Sequence, residues 1–191
     1  MKIVIVGAGI GGLTLALSLH QAGIAAEVYE SVEALAPVGA GINLLPHAVR
    51  ELTELGLDTD LAAPAIPTPA LAYHSRHGQL IWREPRGRAA GYRWPQFSIH
   101  RGALQMILLR AAQARLGDAA IHLGHHLAGL AQTETGVTAF FTDRHGGAPR
   151  GEARGDLLIG ADGIHSALRA QFARGEGPPL WNGAILWRGT T

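Results

Sequence analysis

The chain has 191 residues, 47% apolar and 16% charged, with no cysteine and a formal charge of +1. This composition excludes a disordered polyelectrolyte, and the missing thiols exclude disulfides, thiolate zinc sites and cysteine nucleophiles. Residues 1–95 carry 7 basic and 8 acidic groups and residues 96–191 carry 9 and 7, so neither half suits nucleic acid or an anionic membrane.

Residues 3–19 carry no charge and follow Lys2, which raises the question of a signal peptide or membrane span. Four glycines at its centre, Gly7, Gly9, Gly11 and Gly12, answer it. The β-branched run Ile3-Val4-Ile5-Val6 predicts a buried parallel strand over 2–6. Leu13/Leu17 and Leu15/Leu19, spaced i,i+4, predict a helix over 11–22 that ends at Gly23. Residues 26–30 predict a second strand, and the three elements make one βαβ unit. With no other such stretch, a soluble cytoplasmic protein without a membrane span is expected.

Pro46 and Gly56 bound a helix over 46–55. Residues 58–70, rich in alanine and proline, read as a crossing segment, and 71–83 as a hairpin turning at His77-Gly78. A loop over 85–95 leads to a strand over 96–100 and a helix over 102–116 stopped by Gly117. Two or three strands are expected within 120–142, then a turn at 144–147. A buried strand over 156–160 follows, then a glycine turn and a short helix from Ser166. A last strand is expected over 184–188.

Gly7-Ala8-Gly9-Ile10-Gly11-Gly12 fits G-x-G-x-x-G between a strand and a helix, the context that gives the pattern meaning. Gly7 permits the tight turn, Gly9 lets a pyrophosphate reach the backbone, and Gly12 lets helix and strand pack closely. The helix amides and dipole then face the phosphates. A glycine turn that merely packs is the plainer alternative. Glu30 ends the second strand, where an acid accepts hydrogen bonds from an adenosine ribose and repels a 2′-phosphate. FAD or NAD is therefore expected there, and NADP is not. A solvated glutamate at a strand end is the alternative.

A second constellation separates the two. The apolar strand at 156–160 delivers Asp162-Gly163 to a turn, and Ser166 can cap the helix after it. Asp162 then stands at the carboxyl end of a strand, where ligands bind in open α/β sheets. Ser98-Ile99-His100-Arg101-Gly102 puts Arg101 at the start of a long helix, suited to a phosphate.

With these motifs together, the chain resembles the class A flavoprotein monooxygenases of the p-hydroxybenzoate hydroxylase fold. The matching parts are Gly7–Gly12, Glu30, Gly39-Ala40-Gly41-Ile42, Arg101, and the run from Asp162-Gly163 to Arg169. Residues 65–68, 84–87, 95–102 and 104–109 look closest to phenazine- and salicylate-type aromatic hydroxylases. The resemblance implies an α/β fold: a Rossmann-like FAD-binding domain over 1–70 and 96–175, interleaved with strands of a β-rich substrate domain at 71–95 and 176–191. It implies Gly7, Gly9 and Gly12 at the FAD pyrophosphate, Gly11 as a further cofactor-binding residue of the turn, and Glu30 at the adenosine ribose. Gly41 and Ile42 would present backbone to the flavin ring, Arg101 would face the ribose–phosphate side, and Leu127 would offer its backbone to adenine. Asp162 and Gly163 would serve FAD and the nicotinamide cofactor. The implied reaction uses NADH or NADPH and O₂ to hydroxylate an aromatic or heteroaromatic small molecule through a flavin hydroperoxide. The family's later Gly-Asp motif and C-terminal half are absent from these residues, so the chain reads as an N-terminal portion.

Plainer readings stand beside these: a turn glycine for Gly41, a surface ion pair for Arg101, ordinary core for Leu127. An NAD-dependent dehydrogenase or a non-catalytic dinucleotide-binding fragment would share the same βαβ start. No metal site is expected, because adjacent His125 and His126 point to opposite faces of a strand and His74/His77 lack a local carboxylate. Ser166 lies outside any G-x-S-x-G context, and no side chain stands out as a general base.

Overall fold

A computed structural model of the chain describes residues 1–145 and 147–187. Its elements in chain order are β1 (Lys2–Val6), α1 (Ile10–Gln21), β2 (Ala25–Tyr29), β3 (Gly41–Leu44), α2 (Pro46–Glu54), α3 (Asp58–Ala62), β4 (Ile66–Pro67), β5 (Ala70–His74), β6 (Leu80–Pro85), β7 (Phe97–His100), α4 (Arg101–Leu116), β8 (Ile121–His122), β9 (His126–Thr133), β10 (Gly136–Thr142), β11 (Pro149–Gly155), β12 (Leu157–Gly160) and α5 (Ala167–Phe172). Among the described residues they form two compact units, Met1–Ala36 with Leu108–Leu186, and Pro37–Ile107 with Trp187. These boundaries differ from the division at 70/71 and 95/96 that the resemblance implies.

The first unit is α/β, built on a parallel sheet of order β12-β1-β2-β8. β1 lies between near and distant partners, pairing Lys2↔Ala25 with β2 and Ile3↔Leu157 with β12. Its apolar run is buried on both faces, as a central parallel strand requires. Val4 and Val6 join Tyr29, Leu127, Ala139, Phe141 and Ala153 in one cluster, under the antiparallel sheet β11-β10-β9. α1 buries Leu13, Ala16 and Leu17 completely. It is too short to span a membrane, and no helix among the described residues is long and apolar enough to do so.

The second unit holds the antiparallel sheet β3-β7-β4 and the hairpin β5-β6. Across the first of these, Ser98 Oγ donates to Asn43 Oδ1 at 2.8 Å and lies 2.6 Å from Thr68 Oγ1. Leu44, Val49, Leu52, Leu57, Leu61 and Ile99 are buried in it.

Four expectations change. The crossing segment 58–70 contains α3 and β4, because Leu61 is buried and Ile66-Pro67 pairs with Phe97-Ser98. The loop over 85–95 contains a 3₁₀ turn, Gly87–Ala90, closed by Gly91 at φ +88°. β11 was not expected at all: its sequence, Pro-Arg-Gly-Glu-Ala-Arg-Gly, has low strand propensity, and pairing with β10 overrides this. Residues 184–187 form no strand, since Ile185, Leu186 and Trp187 are exposed and nothing pairs with them among the described residues. Residue 188 of that expected strand lies outside the described residues.

Candidate dinucleotide site

In the first unit, the turn after β1 is pinned by Gly7 N–H donating to Tyr29 O at 2.7 Å. Gly7 has φ +105°, and a Cβ there would lie 2.5 Å from Ala161 O. Gly12, in the first turn of α1, could not carry a Cβ without striking Gly7 O. Those two glycines are required by the protein's own packing. Gly9 and Gly11 are different: a Cβ on either would meet nothing within 4 Å. Gly9 is also the N-cap of α1, with no side-chain capping bond and no acid in the first turn. The first amides of the helix therefore lack a side-chain acceptor, a ready site for an anion. Bare backbone over uncapped amides fits a pyrophosphate.

Glu30 follows β2. Its carboxylate accepts from Ala8 N–H at 2.8 Å, Val32 N–H at 3.1 Å and Ser31 Oγ at 3.0 Å. It is therefore not a merely solvated strand-end glutamate: it ties the glycine turn to the end of β2. A carboxylate offers about four lone-pair positions, so capacity remains for a ribose hydroxyl.

β12 brings the second motif alongside. Val6 pairs with Gly160, and Ala161 N–H donates to Val6 O at 2.7 Å. A Cβ on Gly7 would come within 2.9 Å of Asp162 N, so motifs about 150 residues apart in the chain share the carboxyl end of the sheet. Asp162 Oδ2 accepts from Leu168 N–H at 3.2 Å, and Ser166 caps α5 by accepting from Arg169 N–H at 2.8 Å. Gly163 turns the chain at φ +77°. The Leu127 side chain is ordinary core at 3% exposure. Its backbone belongs to β9, an edge strand of its sheet.

In the second unit, Gly41 and Ile42 are not in a turn: they pair with His100 and Ile99 across β3 and β7. His100 Nε2 lies 2.8 Å from Gly39 O, to which it must donate, so the ring is a structural tie. Arg101 N–H donates to Ala40 O at 3.0 Å. Its exposed side chain enters no ion pair among the described residues. Gly7, Gly9, Gly11, Gly12, Glu30, Leu127, Asp162 and Gly163 thus belong to one unit, and Gly41, Ile42 and Arg101 to the other.

Sequence reasoning missed an aromatic stack. Tyr29 lies between His122 and Phe141, with ring centroids 4.3 and 4.5 Å away and nearly parallel planes. His125 sits edge-on to all three. Tyr29 Oη donates to Glu27 at 2.7 Å, and Lys2 Nζ lies 2.8 Å from the same carboxylate. Burial would raise the Glu27 pKa, but the hydrogen bonds from Lys2 and Tyr29 prevail and lower it. Burial and the bond to Glu27 raise the Tyr29 pKa. Burial lowers that of His122 despite the nearby Glu27 carboxylate. These residues are 12 or more positions apart except Tyr29 and Glu27, or His122 and His125, so no local pattern announces the stack.

A parallel βαβ unit with a bare glycine turn, an uncapped helix and an acid after the second strand defines a dinucleotide-binding protein. A family model described as FAD binding domain matches residues 1–177, and the chain belongs to that family. It is 43% identical over 190 residues to a phenazine 1,6-dicarboxylic acid hydroxylase, PhzS, of Lysobacter antibioticus, covering 99% of this chain and 47% of the relative. It is 36% identical over 192 residues to a 3-amino-4-hydroxybenzoate 2-monooxygenase of Streptomyces cremeus, covering 99% and 46%. Among solved structures, Klebsiella pneumoniae HpxO complexed with FAD and uric acid superposes with a TM-score of 0.70 at 33% identity, covering 90% of this chain and 41% of that one. The chain spans about half the length of the curated relatives it matches.

Proposed function

We propose that the chain is the flavin-holding part of an FAD-dependent monooxygenase that hydroxylates an aromatic or heteroaromatic small molecule with NADH or NADPH and O₂, in the cytoplasm. The observation that carries this reading is the bare backbone of Gly9 and Gly11 over the uncapped start of α1, tied through Ala8 to Glu30. Family membership favours FAD over NAD as the resident dinucleotide. The phenazine and aminohydroxybenzoate relatives support a planar, electron-rich substrate.

In this reading the α1 amides and Gly7, Gly9, Gly11 and Gly12 hold the pyrophosphate. Glu30 accepts from a ribose hydroxyl with the lone pair that Ala8, Val32 and Ser31 leave open. Its negative charge repels a 2′-phosphate, so NADPH, if used, comes as a passing co-substrate. Leu127 offers its backbone to adenine, and Gly41 and Ile42 offer theirs to the flavin ring. Arg101 supplies a fixed positive charge to the phosphate side. Asp162 and Gly163 border both cofactors. FAD, when bound, would supply the redox chemistry that couples the nicotinamide cofactor and O₂ to ring hydroxylation, one oxygen atom entering the ring and the other leaving as water. The protein's part is to orient these groups and keep water out. Residues 1–70 and 96–175 form the FAD-binding domain on this reading, with 71–95 and 176–191 belonging to the substrate domain.

Titrating FAD into the purified chain while following flavin fluorescence tests the proposal. Saturable quenching, with weaker binding of NAD, is the expected result. Binding of NAD with no response to FAD would overturn it.

A further inference from the structure

We infer that Asn182 is a self-modifying site, where the chain's own backbone expels the side-chain amide as ammonia and leaves an acid; nothing in it depends on a bound flavin. The sequence holds two asparagines, Asn43 and Asn182, and only Asn182 is followed by a glycine. Residues 181–184 are all exposed. Ala184 N–H donates to Asn182 Oδ1 at 3.0 Å, the bond by which an asparagine side chain sets a turn. Trp181 Nε1–H donates to Ala184 O at 3.0 Å and holds the turn from its other side. Gly183 stands at φ +85°, where a Cβ would meet nothing within 4 Å.

Each group that the reaction needs is in a suitable state. Negative charge grows on Asn182 Oδ1 when a nucleophile adds to Cγ, and Ala184 N–H already donates to that oxygen. A donor fixed there stabilises the developing charge, as in an oxyanion hole. Asn182 Nδ2, which must leave, enters no hydrogen bond among the described residues. Gly183 N–H, which must attack, enters none either. Nucleophile and Cγ belong to adjacent residues, so their encounter costs no translational entropy. Without a Cβ, Gly183 leaves the approach open and its backbone free to turn.

Gly183 N gives its proton to hydroxide and bonds to Asn182 Cγ. The Cγ–Nδ2 bond breaks, and the amide nitrogen takes up a proton and departs as ammonia. Water then opens the resulting five-membered imide. Cleavage at Cγ leaves aspartate, and cleavage at the backbone carbonyl carbon leaves isoaspartate. Water is the only co-reactant, and nothing is oxidised or reduced. The new carboxylate cancels the chain's formal charge of +1, and a chain of zero net charge associates more readily. Asn43 has no such freedom. It lies in β3 and is followed by Leu44, which is buried and paired with Phe97.

The test is peptide mapping by mass spectrometry after the purified chain has stood in mildly alkaline buffer, with the urea-unfolded chain alongside as the positive reference. The native chain is expected to lose Asn182 to a mixture of aspartate and isoaspartate while Asn43 stays intact. Gly183→Ala adds a Cβ that meets no atom, so it should fold as before. It should slow the conversion at least about tenfold, the population penalty of an L side chain in the left-handed region. An Asn182 that survives in the native chain while converting in urea overturns the inference. So does aspartate without isoaspartate, the mark of direct hydrolysis, and so does an unchanged rate in Gly183→Ala. FAD titration of the same samples reports on the flavin reading separately.

Discussion

The glycine turn has an inner and an outer side, and they answer to different masters. On the inner side, Gly7 and Gly12 face backbone: Ala161 O in one case, Gly7 O in the other. On the outer side, Gly9 and Gly11 face open space. One six-residue motif therefore mixes residues the fold's own packing requires with residues that packing leaves bare. A match to G-x-G-x-x-G conflates the two, and substitution separates them.

The largest effect is expected at Gly12. Gly12→Val drives a branched side chain into Gly7 O, which rigid backbone cannot yield, so a loss of about 3 kcal/mol or more is expected in chemical denaturation. Gly7→Ala combines a left-handed φ with a contact on Ala161 O, and should cost about 2 kcal/mol by the same measurement. Gly9→Val should cost only about 1 kcal/mol in chemical denaturation, as expected of a β-branched residue at the N-cap of α1. FAD titration of that variant should nonetheless show binding weakened at least about tenfold, because the new side chain occupies the approach to the α1 amides. A Gly9→Val chain that binds FAD normally would erase the distinction between the two sides of the turn.

A smaller and pH-dependent effect belongs to the aromatic stack beneath the turn. Glu27 has a pKa lowered below its ordinary 4.5 and His122 one lowered below its ordinary 6.5. In both, the unfolded chain binds protons more readily than the folded one. Their contributions are whole above those ordinary values and are lost as pH falls through the folded values, first at His122 and then at Glu27. Thermal melts should therefore fall from pH 7 to pH 4, and His122→Phe should flatten the upper part of that decline. A melt independent of pH over this range would refute the account.

The first unit was legible where a local pattern carried the information. Ile3-Val4-Ile5-Val6, the glycine turn and Glu30 lie within one βαβ unit, and each signal agrees with the next. Ser166 was legible as a cap because capping needs only a side chain and the amide three residues on. β11 was not, since a strand of Pro, Arg, Gly and Glu exists only through its partner β10. The commitment of Glu30 to Ala8, and of Asp162 to the start of α5, was also invisible: both carboxylates read as ligand groups, yet each spends part of its capacity on the protein's own amides. The structural tie at His100 depends on which carbonyl lies nearby, which no spacing reveals.

The position of β1 between β2 and β12 has a consequence for the order of assembly. One neighbour is close along the chain; the other, pairing Ile3 with Leu157, is not available until the chain has been synthesised beyond Leu157. The wall that Ala161 builds against Gly7 is a late addition to a strand made first. Nascent chains shorter than this would display an open flank of Ile3, Val4 and Ile5, a stretch in want of a temporary cover. Long-range pairing of this sort slows folding, and it ties completion of the glycine turn to the arrival of residues far downstream.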